Sequence, residues 1–359
     1  MSTVLHRGEE GERGPLYTRM TRLTSGALLL TAEIYRERGP WGAVFPIWRS
    51  DDGGRTWELV SEVADVRFHA GNRYQPIVYE LPAPWAGRPA GTLLLAGNAF
   101  PADGSETNIV LYESADARTW SFVSVVDTGG PAEYDWRPTS ETTAVWEPCL
   151  DLVGGSLVCF LADERRKADG MLQAITRRAS VDGVHWSDAE LVSGVGDRFS
   201  RPGMFVSTGE MPDGRRRAVI EVVGPREVPI HLLESADGLD WGAPDALGTR
   251  LVADDGTAPS GTPNITWRVD AEGRVVVIAT GRLALDAAGE PVDRGLVRID
   301  DGPWRAFGLP VPAERALDEG SGYSQTVLQN ADGELVQATT VRNSRGSHDI
   351  VVGVAPSPW

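Results

Sequence analysis

The chain is poor in the residues that would announce most chemistries. It has two cysteines, five histidines and five methionines in 359 residues. Cys149 and Cys159 flank the Gly154-Gly155 turn, and a bridge between such close strand neighbours would be unusual, so two buried thiols are expected. The histidines are scattered without metal-ligand spacing, so no metal and no cofactor are expected. Positive charge is short: 34 Lys and Arg stand against 51 Asp and Glu, a formal net charge of −17. That balance argues against a nucleic acid or an anionic membrane as partner. No apolar run is long enough to span a bilayer. Met1 to Arg13 contains no apolar signal core, so the chain as written reads as cytoplasmic, and as secreted only if a leader precedes it. Low-complexity segments, interdomain linkers and long helical periods are all missing.

What is present is a repeat. Ser50-Asp51-Asp52-Gly53-Gly54-Arg55-Thr56-Trp57, Ser114-Ala115-Asp116-Ala117-Arg118-Thr119-Trp120, Ser180-Val181-Asp182-Gly183-Val184-His185-Trp186 and Ser235-Ala236-Asp237-Gly238-Leu239-Asp240-Trp241 share one pattern. Ile299-Asp300-Asp301-Gly302-Pro303-Trp304 is a degenerate fifth copy. The closing tryptophans recur about every 60 residues, the period of a four-stranded propeller blade. Each copy predicts a tight turn between strands. Its Asp accepts backbone N–H bonds, its Gly supplies positive φ where present, and its Trp packs between neighbouring blades.

Six units can be marked by an inner strand, a turn and an apolar return strand. The inner strands start at Tyr17, Asn72, Val145, Arg201, Thr262 and Gly322. The returns run through Leu28 to Glu33, Leu93 to Asn98, Val158 to Arg165, Ala218 to Glu221, Val275 to Arg282 and Leu335 to Arg342. The remaining strand, His348 to Val354, lacks a partner, which the segment around Val4-Leu5-His6 can supply, closing the ring and removing an edge. Residues 1–359 therefore read as one all-β domain, a six-bladed propeller of four-stranded antiparallel blades, expected as a monomer.

Propeller sites form where inner strands converge on one face, so polar residues at strand starts are the candidates. Glu147, within Ala144-Val145-Trp146-Glu147-Pro148, and Glu221, between Val219-Ile220 and Val222-Val223, interrupt apolar strands. A carboxylate in such a run is costly unless it is paired or functional. Arg19, Gln75, Arg165, Arg201 and Asn264 are candidates for reading sugar hydroxyls, with Trp146 or Trp136 offering a ring face, and Tyr323 is a candidate active-site phenol. One polar pocket containing these side chains is expected.

These Ser-x-Asp turns closed by Trp resemble the Asp-box of sialidases. Arg19-Met20-Thr21 and Gly322-Tyr323-Ser324 are sialidase-like as well. A sialidase is expected to carry a third substrate arginine where Thr262-Pro263-Asn264 stands, and an acid/base Asp that is missing between Tyr35 and Arg49. The stretches Tyr17-Thr18-Arg19-Met20, Val145-Trp146-Glu147-Pro148, Ala218-Val219-Ile220-Glu221 and Gly322-Tyr323-Ser324 are similar to the exo-1,5-α-L-arabinanases of glycoside hydrolase family 93. That resemblance implies an exo-acting, retaining hydrolase working on an oligosaccharide or polysaccharide chain end. It implies Glu147 as acid/base, Glu221 as nucleophile and Tyr323 as an active-site tyrosine. The other readings are an exo-α-sialidase, a polysaccharide lyase using Tyr323 or His69 as base, and a non-catalytic glycan-binding propeller.

Overall fold

The structure is a computed structural model that describes residues 2–10, 14–34, 43–68, 71–135, 137–312 and 320–359. His69 and Trp136 lie outside the described residues. Helix is confined, among the described residues, to two single 3-10 turns, Lys167–Asp169 and Pro244–Ala246. Everything else that is regular is antiparallel strand, in six four-stranded sheets and one three-stranded sheet.

The six larger sheets follow one another along the chain. Their first strands are Leu16–Arg22, Asn72–Glu80, Val145–Val153, Arg201–Ser207, Asn264–Val269 and Thr326–Gln329. Each touches the next, and the last touches the first, so the six strands form a closed cycle. The sixth sheet is completed by Ser2–Arg7, which pairs antiparallel with His348–Ala355. The chain thus leaves no free edge on the strand that the sequence left without a partner.

The second strands explain the leucine and valine runs. Leu28–Glu33 and Leu93–Ala99 are buried along their whole length, because a neighbouring sheet covers each face. A strand covered on both faces reads as a continuous apolar run rather than an alternation. The core is accordingly divided into six layers, one per sheet-to-sheet interface. Trp120, Trp186, Trp241 and Trp304 each occupy a different layer, Trp57 lies in the layer between first and sixth sheets, and Trp359, outside the repeat, fills the last.

The repeated turns close as their chemistry predicts. Ser Oγ accepts the N–H of Gly54, Ala117, Gly183 or Gly238 at 2.8–3.0 Å. Asp Oδ1 accepts the two following N–H groups, as Asp116 does from Arg118 and Thr119 at 2.8 Å. Ala117 takes φ +62° where two other copies carry glycine at +80° and +81°. The fifth copy lacks the serine, and Asp300 instead accepts the N–H of Val275 on the adjacent hairpin at 2.8 Å.

The three-stranded sheet, Ala258–Ser260, Leu283–Leu285 and Pro291–Val292, has no counterpart in the sequence reading. Strands of two or three residues are too short to show an alternation.

One backbone feature repeats six times. Tyr17, Gln75, Glu147, Met204, Thr262 and Ser324, one per first strand or just before it, all have φ between +41° and +61°. In the first four sheets the pairing register slips at that residue. A non-glycine residue held there costs about 1–3 kcal/mol. Compensation comes from the preceding sheet. At five of the six, all but Tyr17, the N–H is turned out of its own ladder and a side chain of the sheet before accepts it.

Candidate active site

Those five donated bonds run around the channel in sequence. Gln75 N–H bonds Glu33 Oε1 at 2.8 Å, and Glu147 N–H bonds Gln75 Oε1 at 2.8 Å. Met204 N–H bonds Glu147 Oε2 at 2.8 Å, and Thr262 N–H bonds Glu221 Oε2 at 2.5 Å. Ser324 N–H bonds Thr262 Oγ1 at 2.9 Å. The device that ties neighbouring sheets together therefore also fixes one oxygen of each candidate carboxylate.

Glu147 is itself a left-handed bulge residue, on the first strand of the third sheet. Glu221 lies on the second strand of the fourth, paired with Gly203. The Glu147 side chain reaches that glycine: a Cβ on Gly203 would stand 3.3 Å from Glu147 Oε2 and 2.5 Å from Gln173 Nε2. The carboxylates are close enough to repel. Burial, then repulsion from Glu221, pushes Glu147 up to about 8, against the bonds from Met204 and Tyr17 and the attraction of Arg19. Burial also raises Glu221, opposed by the Thr262 N–H and by Arg19. Glu147 Oε1 accepts the Tyr17 hydroxyl at 3.0 Å. Among the described residues no hydrogen bond reaches Glu221 Oε1.

Two tyrosines cap the pair. Tyr17 and Tyr323 meet edge to face, with centroids 5.0 Å apart and planes at 61°. Burial, then Glu221 and Glu147, raise the Tyr323 hydroxyl well above the usual phenol range. Arg19 reaches in from the first sheet, 9% exposed, and donates to the Pro263 carbonyl at 3.4 Å across the channel. Its charge interacts with Tyr17, Glu147 and Glu221. A cavity of about 10 Å³, room for about one water, lies among Tyr17, Arg19, Gln75, Glu147 and Met204.

The structure therefore brings Glu147, Glu221, Tyr323, Arg19 and Gln75 together. Gln75 is fully engaged inside the cluster: its Oε1 takes the Glu147 N–H and its Nε2 donates to Tyr17 at 3.3 Å. Asn264 begins the first strand of the fifth sheet, 6% exposed, and its Oδ1 has no hydrogen-bond partner among the described residues. Trp146 packs against Tyr74 and Phe100 and donates to Glu164 at 3.3 Å, so its ring is mostly covered.

Two arginines are committed elsewhere. Arg165 forks onto Asp127 and Asp163 at 2.7–2.9 Å, and these carboxylates raise its pKa against the effect of burial. Arg201, 2% exposed, donates to the carbonyls of Asp135 and Arg137 at 2.9 and 3.1 Å. Arg201 Nη1 is buried without a hydrogen-bond partner among the described residues. Tyr17 and the N–H donors of Met204 and Thr262 were not singled out by sequence reasoning. Tyr17 stands in a quoted motif and could have been found there; a backbone donor at a left-handed methionine or threonine has no sequence signal.

No protein-family model matches this sequence, and no curated protein sequence matches it. Solved structures do. An α-L-arabinanase from Penicillium chrysogenum, complexed with arabinobiose, is 29% identical over 99% of this chain and 98% of its own, with a TM-score of 0.81. The family-93 α-L-arabinofuranosidase of Fusarium graminearum, also with arabinobiose, is 28% identical over 98% of both chains, with a TM-score of 0.80. A leech intramolecular trans-sialidase, 10% identical with a TM-score of 0.59, covers 99% of this chain and 70% of its own and shares the fold alone. These comparisons support a glycoside hydrolase with a likeness to family 93, and with sialidases as more distant relatives in fold.

Proposed function

We propose that this family-93-like glycoside hydrolase removes sugars from the ends of arabinan-type oligosaccharides with retention of configuration. The same reading takes residues 1–359 as a single six-bladed propeller. Its support is the closed cycle of six four-stranded sheets, with the three-stranded sheet as an appendage between the fourth and fifth. The observation that carries the chemistry is the buried, mutually repelling pair Glu147 and Glu221, each held at Oε2 by a backbone N–H of the next sheet. Such a pair keeps one proton between its members at neutral pH. Burial raises both members, and Glu147, which repulsion from Glu221 raises further, is assigned that proton in this reading.

In the first step the Glu147 proton passes to the glycosidic oxygen as the bond from that oxygen to the anomeric carbon breaks. Glu221 Oε1, the oxygen left open, forms a bond to the anomeric carbon, and the leaving sugar departs with its new hydroxyl. In the second step the Glu147 carboxylate takes a proton from water, and the water oxygen displaces Glu221. This double displacement needs carboxyl groups about 5–5.5 Å apart. Arg19 balances the negative charge of the pair, and Tyr17 and Tyr323 wall the ring. A tyrosine nucleophile of the sialidase kind is disfavoured, because burial and two nearby carboxylates hold Tyr323 protonated.

Linear 1,5-linked arabino-oligosaccharides and chromogenic arabinosides and sialosides provide the test. Arabinoside cleavage with retained configuration, seen by NMR of the first product, is expected. Glu221→Ala should stop turnover, and azide should restore it as an inverted glycosyl azide. Sialoside cleavage, or an ultraviolet-absorbing unsaturated product, would replace this reading by a sialidase or a lyase.

A further inference from the structure

One aromatic ring stands uncovered beside this site. Tyr134 lies in the segment between the strands Ser121–Gly129 and Val145–Val153 and is 69% exposed. The described residues on either side of it are tied down. Gly130 N–H bonds the Thr143 carbonyl and Ala132 N–H bonds the Gly104 carbonyl, at 2.8 and 2.9 Å. Arg201 holds the carbonyls of Asp135 and Arg137. Arg198 holds those of Pro138 and Ser140, at 3.1 and 3.4 Å. Ala132 packs on the Phe100–Trp146 cluster below.

The clamp begins at the site itself. Arg201 opens the strand whose Gly203 pairs with Glu221, so the peptide next to Tyr134 is pinned to an inner strand of the channel. The surroundings of the hydroxyl agree with that placement. Packing around it raises its pKa, Arg201 lowers it, and Glu221, Glu147 and Glu164 raise it. Tyr134 is therefore an open ring on a fixed support, within electrostatic reach of both carboxylates. Glu221, by contrast, is 8% exposed and lies deep in the channel. A sugar stacked on Tyr134 is consequently not the sugar gripped between the carboxylates.

We infer that Tyr134 is a stacking platform for a second sugar ring of the bound oligosaccharide, beyond the residue whose bond is broken. A flat, amphipathic ring suits the C–H face of a pentose, and a pre-ordered support lowers the entropy lost on binding. Clamping by Arg198 and Arg201 thus acquires a purpose: it fixes the distance from the platform to the carboxylates. The inference rests on the arabinan reading of the carboxylate site.

Tyr134→Ala and Tyr134→Phe, assayed on linear 1,5-linked arabino-oligosaccharides of three to six units, supply the test. Loss of an interaction made equally in ground and transition states raises KM without changing kcat. Tyr134→Ala is expected to raise KM about tenfold, with kcat within about twofold of the unsubstituted enzyme. Tyr134→Phe keeps the face and should stay within about twofold in both. An unchanged melting midpoint, expected for so exposed a side chain, separates this from misfolding. If the unsubstituted enzyme cleaves these substrates while Tyr134→Ala leaves KM unchanged, or Tyr134→Phe is as damaging as alanine, the platform is overturned and the arabinan reading stands. If the unsubstituted enzyme neither cleaves nor binds them, the arabinan reading fails and the platform falls with it.

Discussion

Replacing Tyr17 by phenylalanine tests the proposed role of Glu147 as the acid. The ring contact with Tyr323 survives, and only the hydroxyl is lost. That hydroxyl donates to Glu147 Oε1 at 3.0 Å and accepts from Gln75 Nε2 at 3.3 Å. A hydrogen bond to a charged group contributes about 1.5–3 kcal/mol, and one pKa unit corresponds to about 1.36 kcal/mol. The bond favours the ionised form, so its removal favours the protonated one. Glu147, already pushed to about 8 by burial and then by Glu221, should rise by about one to two units. The basic limb of kcat/KM, where the acid loses its proton, should move to higher pH by that amount. Initial rates on an arabino-oligosaccharide, from about pH 5 to about pH 10, would locate the limb. A carbon-13 NMR titration of labelled glutamate gives the same answer without substrate. Gln75 Nε2 loses its acceptor too, so Tyr17→Phe should lower the stability of the fold by about 1–3 kcal/mol. A limb that stays in place, or moves to lower pH, would refute both the bond's effect on the carboxyl and Glu147's place as the acid.

Two further outcomes follow from buried titratable groups. Glu147 has an ordinary value of 4.5 in the unfolded chain and about 8 when folded, so the folded state binds the extra proton between these values. The stability it contributes is present below 4.5 and is lost as pH rises towards about 8. Glu147→Gln removes that dependence, and its melting temperature should gain on the unsubstituted protein steadily across this window; a constant gap would show that the carboxylate is solvated. Cys149 and Cys159 are free and buried, and burial pushes Cys149 up to about 12 and raises Cys159 well above the thiol range. Both should resist a thiol-specific disulfide reagent at about pH 8 until the protein is unfolded, and rapid labelling of the native protein would contradict their burial.

Much of the scaffold is written locally. A serine, an aspartate two residues on and a tryptophan shortly after are enough to define a turn, because the bonds that the serine and aspartate accept from the turn's N–H groups span no more than four residues. The apolar second strands are legible for a similar reason: a strand covered on both faces needs no alternation, and Leu28-Leu29-Leu30 or Leu93-Leu94-Leu95 fits little else. Glu147 and Glu221 stood out because each breaks such a run. The start of the sixth inner strand was less legible: the sequence reading begins it at Gly322, and the strand begins only at Thr326.

Partner choice is another matter. Arg19, Arg165 and Arg201 look alike in sequence, each beside an inner or a return strand. Only the closed ring decides that Arg19 comes within charge-interaction range of two carboxylates, that Arg165 meets Asp127, and that Arg201 reaches back to the carbonyls of Asp135 and Arg137. The left-handed bulges belong to the same class. No residue type at Tyr17, Gln75, Glu147, Met204, Thr262 or Ser324 asks for positive φ, and each is held there by a side chain of the preceding sheet or by the packing around it. By itself, the sequence determined the repeat, its turns, its buried strands and the two glutamates, since these depend on backbone period and on bonds between near neighbours. The tertiary structure decided which groups face one another across the channel and what charge they carry, since burial and long-range pairing exist only once the ring has closed.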